Sequence, residues 1–170
     1  MAYTVNYAPT SGQIGWQGIS VVSDTAKHAL GTRIRATDTG AAAYGEGEFI
    51  YLVGVASTAI GSVVKYNADN FTTSLLAAND IGPVAVAMSA TVASTYGWYQ
   101  IYGKGVAKVA TGFADDGLVF ATATGSTVDD AVVSGDRVKN MLGASAIATP
   151  AAGLAEMEMQ YPFMDDATAA

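Results

Sequence analysis

An all-β fold is predicted: a single β-sandwich, jelly-roll-like or barrel domain with an extended N-terminal arm and little helix. Three observations lead there. Ala, Gly, Val and Thr number 32, 19, 17 and 17 and make up half of the 170 residues. Gly with the β-branched residues favours short strands and tight turns over long helices. From Gly18 onward, short apolar runs alternate with turn signals at roughly 10–15-residue spacing, as in sandwiches and barrels. Hydrophobic residues reach 51%, enough for one buried core, and no low-complexity linker divides the chain.

Residues 1–17 carry Pro9, Gly12 and Gly15 around isolated Tyr3, Tyr7 and Trp16. No strand or helix period runs through them, so they read as an extended arm whose rings dock elsewhere. The β-rich domain is placed at 18–163 and a flexible tail at 164–170. Gly18–Ser23 and Gly31–Thr37 are the first strand candidates, followed by Glu48–Val55 and Gly61–Tyr66. Val84–Met88 begins after the Gly82-Pro83 breaker, where proline is tolerated at a strand entrance. Gly97–Tyr102 and Gly105–Ala110 read as a hairpin about Gly103-Lys104. Gly117–Thr122 and Asp130–Val133 come next, and Gly153–Tyr161 closes the series. In that last strand Leu154, Glu156, Glu158 and Gln160 alternate with Ala155, Met157, Met159 and Tyr161, which predicts one wet and one packed face. Trp98, Gln100 and Tyr102 share one side of their strand and Tyr99 and Ile101 the other, so that strand is central or meets a partner. The one helix expected is Asp136–Leu142, ended by Gly143, with Val138, Met141 and Leu142 inward.

Charge is sparse, 14% of residues against about 25% in an ordinary soluble domain. Part of the surface is therefore expected to be covered by other subunits. The net charge of −7 arises wholly in the last third: residues 1–110 hold six acids and six bases, residues 111–170 nine acids and two bases. No cluster of Lys and Arg suits a phosphate backbone, so direct nucleic-acid binding is not expected. No apolar run approaches the ~20 residues of a membrane helix, and no membrane partner is expected. The N-terminus shows neither a basic nor an apolar leader segment, which predicts a cytosol-like compartment of synthesis.

Chemistry-bearing patterns are weak. The chain has no Cys and one His, His28, which removes thiolate sites and multi-histidine metal sites. His28 reads as solvated or packed in a turn, with the Lys27-His28 pair open to an interface role. Asp115-Asp116, Asp129-Asp130 and Asp165-Asp166 are paired carboxylates, but adjacent residues on a strand point opposite ways. They read as turn and surface groups, with a calcium site as the alternative. Gly45-Glu46-Gly47 and Gly103-Lys104-Gly105 lack the rest of any phosphate-loop pattern. No enzyme, no cofactor and no resident metal are expected.

Several phrases in order carry more. They are His28-Ala29-Leu30-Gly31-Thr32, Ala43-Tyr44-Gly45-Glu46-Gly47-Glu48-Phe49-Ile50-Tyr51, Gly54-Val55-Ala56, Gly61-Ser62-Val63-Val64 and Gly82-Pro83-Val84-Ala85-Val86-Ala87. Tyr96-Gly97-Trp98-Tyr99-Gln100-Ile101-Tyr102-Gly103 follows, then a terminal strand ending Tyr161-Pro162-Phe163. Over about residues 28–163 the chain resembles the head decoration, or cement, proteins of tailed bacteriophages. The resemblance implies a β-rich, commonly trimeric domain clamped outside a capsid lattice, with the major capsid protein and its own copies as partners. It implies the outer capsid surface of a virion made in a host cytoplasm, and no catalytic residues. Candidate interface residues are Tyr3, Tyr7, Trp16, Trp98, Tyr99 and Tyr102. Two alternatives are a host-glycan binding module, built on Trp98, Tyr99 and Gln100, and a tail- or fibre-associated structural protein.

Overall fold

The computed structural model describes residues 3–5, 17–40, 42 and 44–165. Among them lie eleven strands and no helix: β1 Tyr3–Val5, β2 Arg33–Asp38, β3 Glu46–Val53, β4 Val63–Tyr66, β5 Thr73–Leu75, β6 Gly82–Ala87, β7 Tyr96–Lys108, β8 Leu118–Ala121, β9 Val128–Asp129, β10 Arg137–Gly143 and β11 Leu154–Met164. The fold is all-β. The strands form one antiparallel sheet in the order β1-β2-β3-β7-β6-β11-β10-β8-β9, with β4 and β5 attached to β6. The sheet curls over its core as a sandwich does and does not close into a barrel.

Its centre is a three-way junction. The thirteen-residue β7 pairs with β3 along its first half and with β11 along its second. β11 leaves β7 after Gln160 and takes β6 as partner at Phe163 and Met164, while β6 itself pairs with β7 through Val86 and Ala87. The change of partner falls at Tyr161, whose φ of 56° is left-handed; a side chain there costs about 1–2 kcal/mol unless its surroundings hold it. Three apolar clusters fill the interior. One gathers Met157, Met159, Met141 and Val86 around the β10–β11 half. The second holds Ile50, Leu52, Tyr99 and Ile101 under β4, and the third holds Phe49, Tyr51, Trp98 and Ile19.

Several elements differ from the sequence reading. Asp136–Leu142 is strand β10, not a helix. Against β8, strand β10 carries extra residues between Arg137 and Leu142, and Asn140 among them has a left-handed φ of 61°. The bulge turns both Val138 and Met141 inward, and that spacing of three imitates a helical stripe. The hairpin about Gly103-Lys104 is likewise one continuous strand. Gly103 takes φ 93° and a Cβ there would stand 2.5 Å from the Glu46 carbonyl oxygen, so the glycine permits a kink without ending the strand. Gly18–Ser23 contributes only a bridge from Ser23 to Tyr96. Asp130–Val133 is loop, with Val132 80% exposed. Thr73–Leu75, too short and polar to show alternation, is a strand.

Both ends of the domain also move. Tyr3 to Val5 pair with the chain's own β2, and Tyr3 sets its ring edge-on to Phe49 at 4.9 Å. Gln17, assigned to the arm, is 4% exposed and belongs to the core. At the other end the tail cannot begin at 164, because Met164 is buried in β11 and the Asp165 carboxylate pairs with Lys139 Nζ. Tyr7, Trp16 and Asp166 lie outside the described residues.

Candidate interaction face

Strand register assembles a surface from residues that the sequence scatters. One row crosses four strands as Leu118, Leu142, Glu158 and Lys104. A second runs Gln160, Tyr102, Glu48 and Arg35. The rows are two residues apart on both β7 and β11, so they share one face of the sheet. That face spans β8, β10, β11, β7, β3 and β2, about 24 Å at ~4.8 Å per strand. Phe163 extends it beside Lys139, whose ammonium sits 5.7 Å from the Phe163 ring centre.

Five large apolar side chains, Tyr102, Leu118, Leu142, Tyr161 and Phe163, stand on this face between 38% and 44% exposed. Tyr102 and Tyr161 lean together with ring centres 5.4 Å apart. Around them lie five of the chain's eight cations, Arg33, Arg35, Lys104, Arg137 and Lys139, and five carboxylates, Glu46, Glu48, Glu156, Glu158 and Asp165. The face is thus charge-balanced. The remaining three cations and ten carboxylates carry the whole net charge of −7.

The charges are interlocked. Glu48 receives Arg33 at 3.7 Å and Arg35 at 3.6 Å on its two oxygens, and Arg35 also reaches Glu46 at 3.4 Å. Tyr161 donates its hydroxyl to Glu48 at 3.0 Å. Glu156, the third acid of the face, is fully covered, although alternation predicts a wet residue there. It accepts the N–H groups of Ile147 at 3.0 Å and Ala148 at 2.8 Å, the Lys104 ammonium at 2.9 Å and the Tyr44 hydroxyl at 3.1 Å. Burial alone raises a carboxyl pKa, but these four donors outweigh it and hold Glu156 below its ordinary value. The cost of covering that carboxylate is offset by full hydrogen bonding.

The predicted interface residues divide. Tyr102 is on the face. Trp98 and Tyr99 are fully buried and are core residues: the Trp98 indole donates to the Gln17 carbonyl at 2.9 Å, and the Tyr99 hydroxyl pairs with Thr91 at 2.6 Å. Gln100 is equally inaccessible, so these three residues make no sugar platform. Their strand alternates as expected, but distant segments cover both sides. His28 is turn-packed, 6% exposed, against the rings of Tyr51 and Trp98. Its Nε2 accepts the Gln17 N–H at 3.3 Å.

Of the described members of the Asp pairs, Asp116 and Asp130 hold loops. Asp116, at φ 60°, accepts the Ser145 hydroxyl at 2.9 Å, and Asp130 accepts the Ala114 N–H at 3.3 Å. Among the described residues no group of three or more His, Cys, Asp or Glu could hold a metal ion. No helix there is long and apolar enough to cross a membrane. Sequence reasoning missed Leu118, Leu142, Tyr161 and Phe163. The one available signal was the opposed period-2 pairs Arg33/Arg35 and Glu46/Glu48, which suit neighbouring strands.

No protein-family model matches the chain, and no curated protein or solved structure is similar to it.

Proposed function

We propose that this chain is a structural virion protein that binds the outside of a phage capsid lattice as a homotrimer and bridges neighbouring major capsid protein subunits. The observation that supports the reading is the division of charge. An amphipathic, charge-balanced sheet face with five protruding apolar side chains is set against a remainder that carries −7. Such a face docks without like-charge repulsion, and the acidic remainder stays in solvent. The width of about 24 Å suits a standard interface of ~800 Å² per partner. The resemblance of residues 28–163 to cement proteins supplies the identity of the partner and the threefold count. The sugar-binding alternative loses its support with the burial of Trp98, Tyr99 and Gln100.

The test is decoration of phage heads assembled without this protein. Leu142→Asp, on the face, is expected to weaken binding at least about tenfold, ~1.4 kcal/mol. Val92→Asp, 52% exposed in the loop before β7, leaves binding unchanged. Wild-type protein that fails to bind heads, or Leu142→Asp protein that binds as well as wild type, overturns the reading.

A further inference from the structure

Four of the five cations on the sheet face are already engaged within the chain. Arg33 and Arg35 hold Glu48, Arg35 also reaches Glu46, Lys104 holds Glu156, and Lys139 pairs with Asp165. Four of the five carboxylates are engaged in the same pairs. Arg137 and Glu158 are the exceptions: both are exposed, and among the described residues neither forms an ion pair. Lys104 lies directly opposite Glu158 in the β7–β11 register, yet its ammonium turns to Glu156 and to the Ser145 carbonyl at 2.6 Å. Arg137 stands five residues before Leu142 on β10, and Leu142 is the residue that pairs with Glu158. The two charges are therefore spaced along the strand direction. Both nevertheless line one notch of about 190 Å³, together with Asn140, Leu142 and Gln160.

In its row Glu158 lies between Leu142 and Lys104, so a partner seated on Leu142 covers it as well. A charge covered without a counter-charge is strongly disfavoured. The internal pairs can be covered as they stand, whereas Arg137 and Glu158 need opposite charges from the partner. We propose that this notch orients the capsid partner: a segment of the major capsid protein sets an acidic side chain against Arg137 and a basic one against Glu158. Between them Asn140 and Gln160, whose amides both donate and accept, bond peptide groups of the same segment. The two charges stand in a fixed order along the strand, so one orientation of the segment pairs both and the reverse orientation opposes like charges. The inference rests on the proposed capsid-binding role and adds the chemistry of the segment that is bound.

Binding to heads assembled without this protein is measured for Arg137→Glu, Glu158→Arg, the two combined, and Asp24→Arg. Asp24 is exposed in the loop before β2, off the face, and Asp24→Arg changes net charge as Glu158→Arg does. Each notch reversal is expected to weaken binding at least about tenfold. The combined variant restores net charge but inverts the order, so it should not recover binding, and Asp24→Arg should bind as wild type. Melting curves accompany each variant. Where a reversal melts early, Arg137→Gln and Glu158→Gln, which add no like charge, take its place with an expected loss of at least about threefold. Wild-type affinity in the notch variants overturns the inference. So does recovery in the combined variant, or an equal loss in Asp24→Arg, since net charge alone would then govern docking. Wild-type protein that fails to bind heads overturns the proposed function and this inference with it. Binding that is lost in Leu142→Asp but kept in the notch variants overturns the inference alone.

Discussion

Tyr161 donates its hydroxyl to Glu48 at 3.0 Å across 113 residues of sequence. That bond spans the place where β11 exchanges β7 for β6, and its acceptor is the carboxylate that Arg33 and Arg35 also grip. The left-handed backbone at Tyr161 is held by this bond and by the ring contact with Tyr102. One residue thus joins the junction of the sheet to the centre of the interaction face.

Tyr161→Phe keeps the ring contact and loses the hydroxyl. Glu48 retains both guanidinium groups, so the expected loss is about 1 kcal/mol. Urea denaturation should show a lower midpoint with an unchanged slope.

Gly105 and Gly45 should respond oppositely in mechanism and unequally in size. A Cβ on Gly105 would stand 2.2 Å from Gln100 Oε1. Gln100 cannot yield easily, since its Nε2 donates to the carbonyls of Tyr102 at 3.1 Å and Lys104 at 3.0 Å. Gly105→Ala is expected to cost at least about 2 kcal/mol through overpacking. Gly45, at φ 80°, has nothing within 4 Å, so Gly45→Ala pays only the backbone term of about 1–2 kcal/mol. A double-mutant cycle of Gly105→Ala with Gln100→Ala should return a coupling energy that Gly45→Ala with Gln100→Ala lacks.

His28 should make stability fall in mild acid. Burial lowers its pKa in the folded chain, and its Nε2 must stay unprotonated to accept the Gln17 N–H. The unfolded chain binds the proton more readily, so stability is complete above the ordinary value near 6.5 and declines as pH falls below it. His28→Gln should flatten that part of the melting-temperature profile between pH 7 and 5.

Glu156 acts in a lower window. Its folded pKa is depressed, so its contribution is present above the ordinary carboxyl value of about 4.5 and is lost as pH falls through the folded value. Amide resonances of Ile147 and Ala148 should hold steady until the pH falls below that ordinary value and move only then. Glu156→Gln removes the pairing with Lys104 and is expected to destabilise by about 1–3 kcal/mol at pH 7.

Truncation should be sharply sensitive to one residue. Gln17 accepts the Tyr51 hydroxyl at 2.5 Å, donates to the carbonyls of Val21 and Tyr96, and offers its own carbonyl to Trp98. Removing residues 1–17 leaves the Trp98 indole and the Tyr51 hydroxyl without those acceptors. Each costs about 1–3 kcal/mol. A chain beginning at Gln17 should melt several degrees above one beginning at Gly18.

Much of the architecture was legible. Tyr96 to Tyr102, Leu154 to Gln160 and Glu46 to Val53 show the period of two that backbone geometry imposes on every strand. Where that period is interrupted, the reading failed. At Asn140 a bulge turned a strand into an apparent helix, and at Gly103 a kink turned one strand into an apparent hairpin. Each interruption sits at a residue that tolerates left-handed backbone, a glycine or an asparagine, but such residues also mark turns and helix ends, and only the pairing with neighbouring strands shows that the strand continues.

By itself the sequence determined the all-β class, the absence of any motif with the spacing of a catalytic or metal site, and a charge distribution that leaves acids in excess. Composition and alternation depend on each residue and its nearest neighbours, so they survive without the fold. Only the tertiary structure decided which side of an alternating strand meets solvent. Trp98 and Tyr102 lie on one strand with the same apparent pattern, yet one is buried under Gln17 and Ile19 and the other is exposed beside Tyr161. The physical reason is that burial is a property of the segment that covers a residue, and here the covering segments come from 81 residues upstream for Trp98. The face that joins Leu118, Leu142, Glu158 and Lys104 exists for the same reason: register between distant strands, not sequence, makes them neighbours.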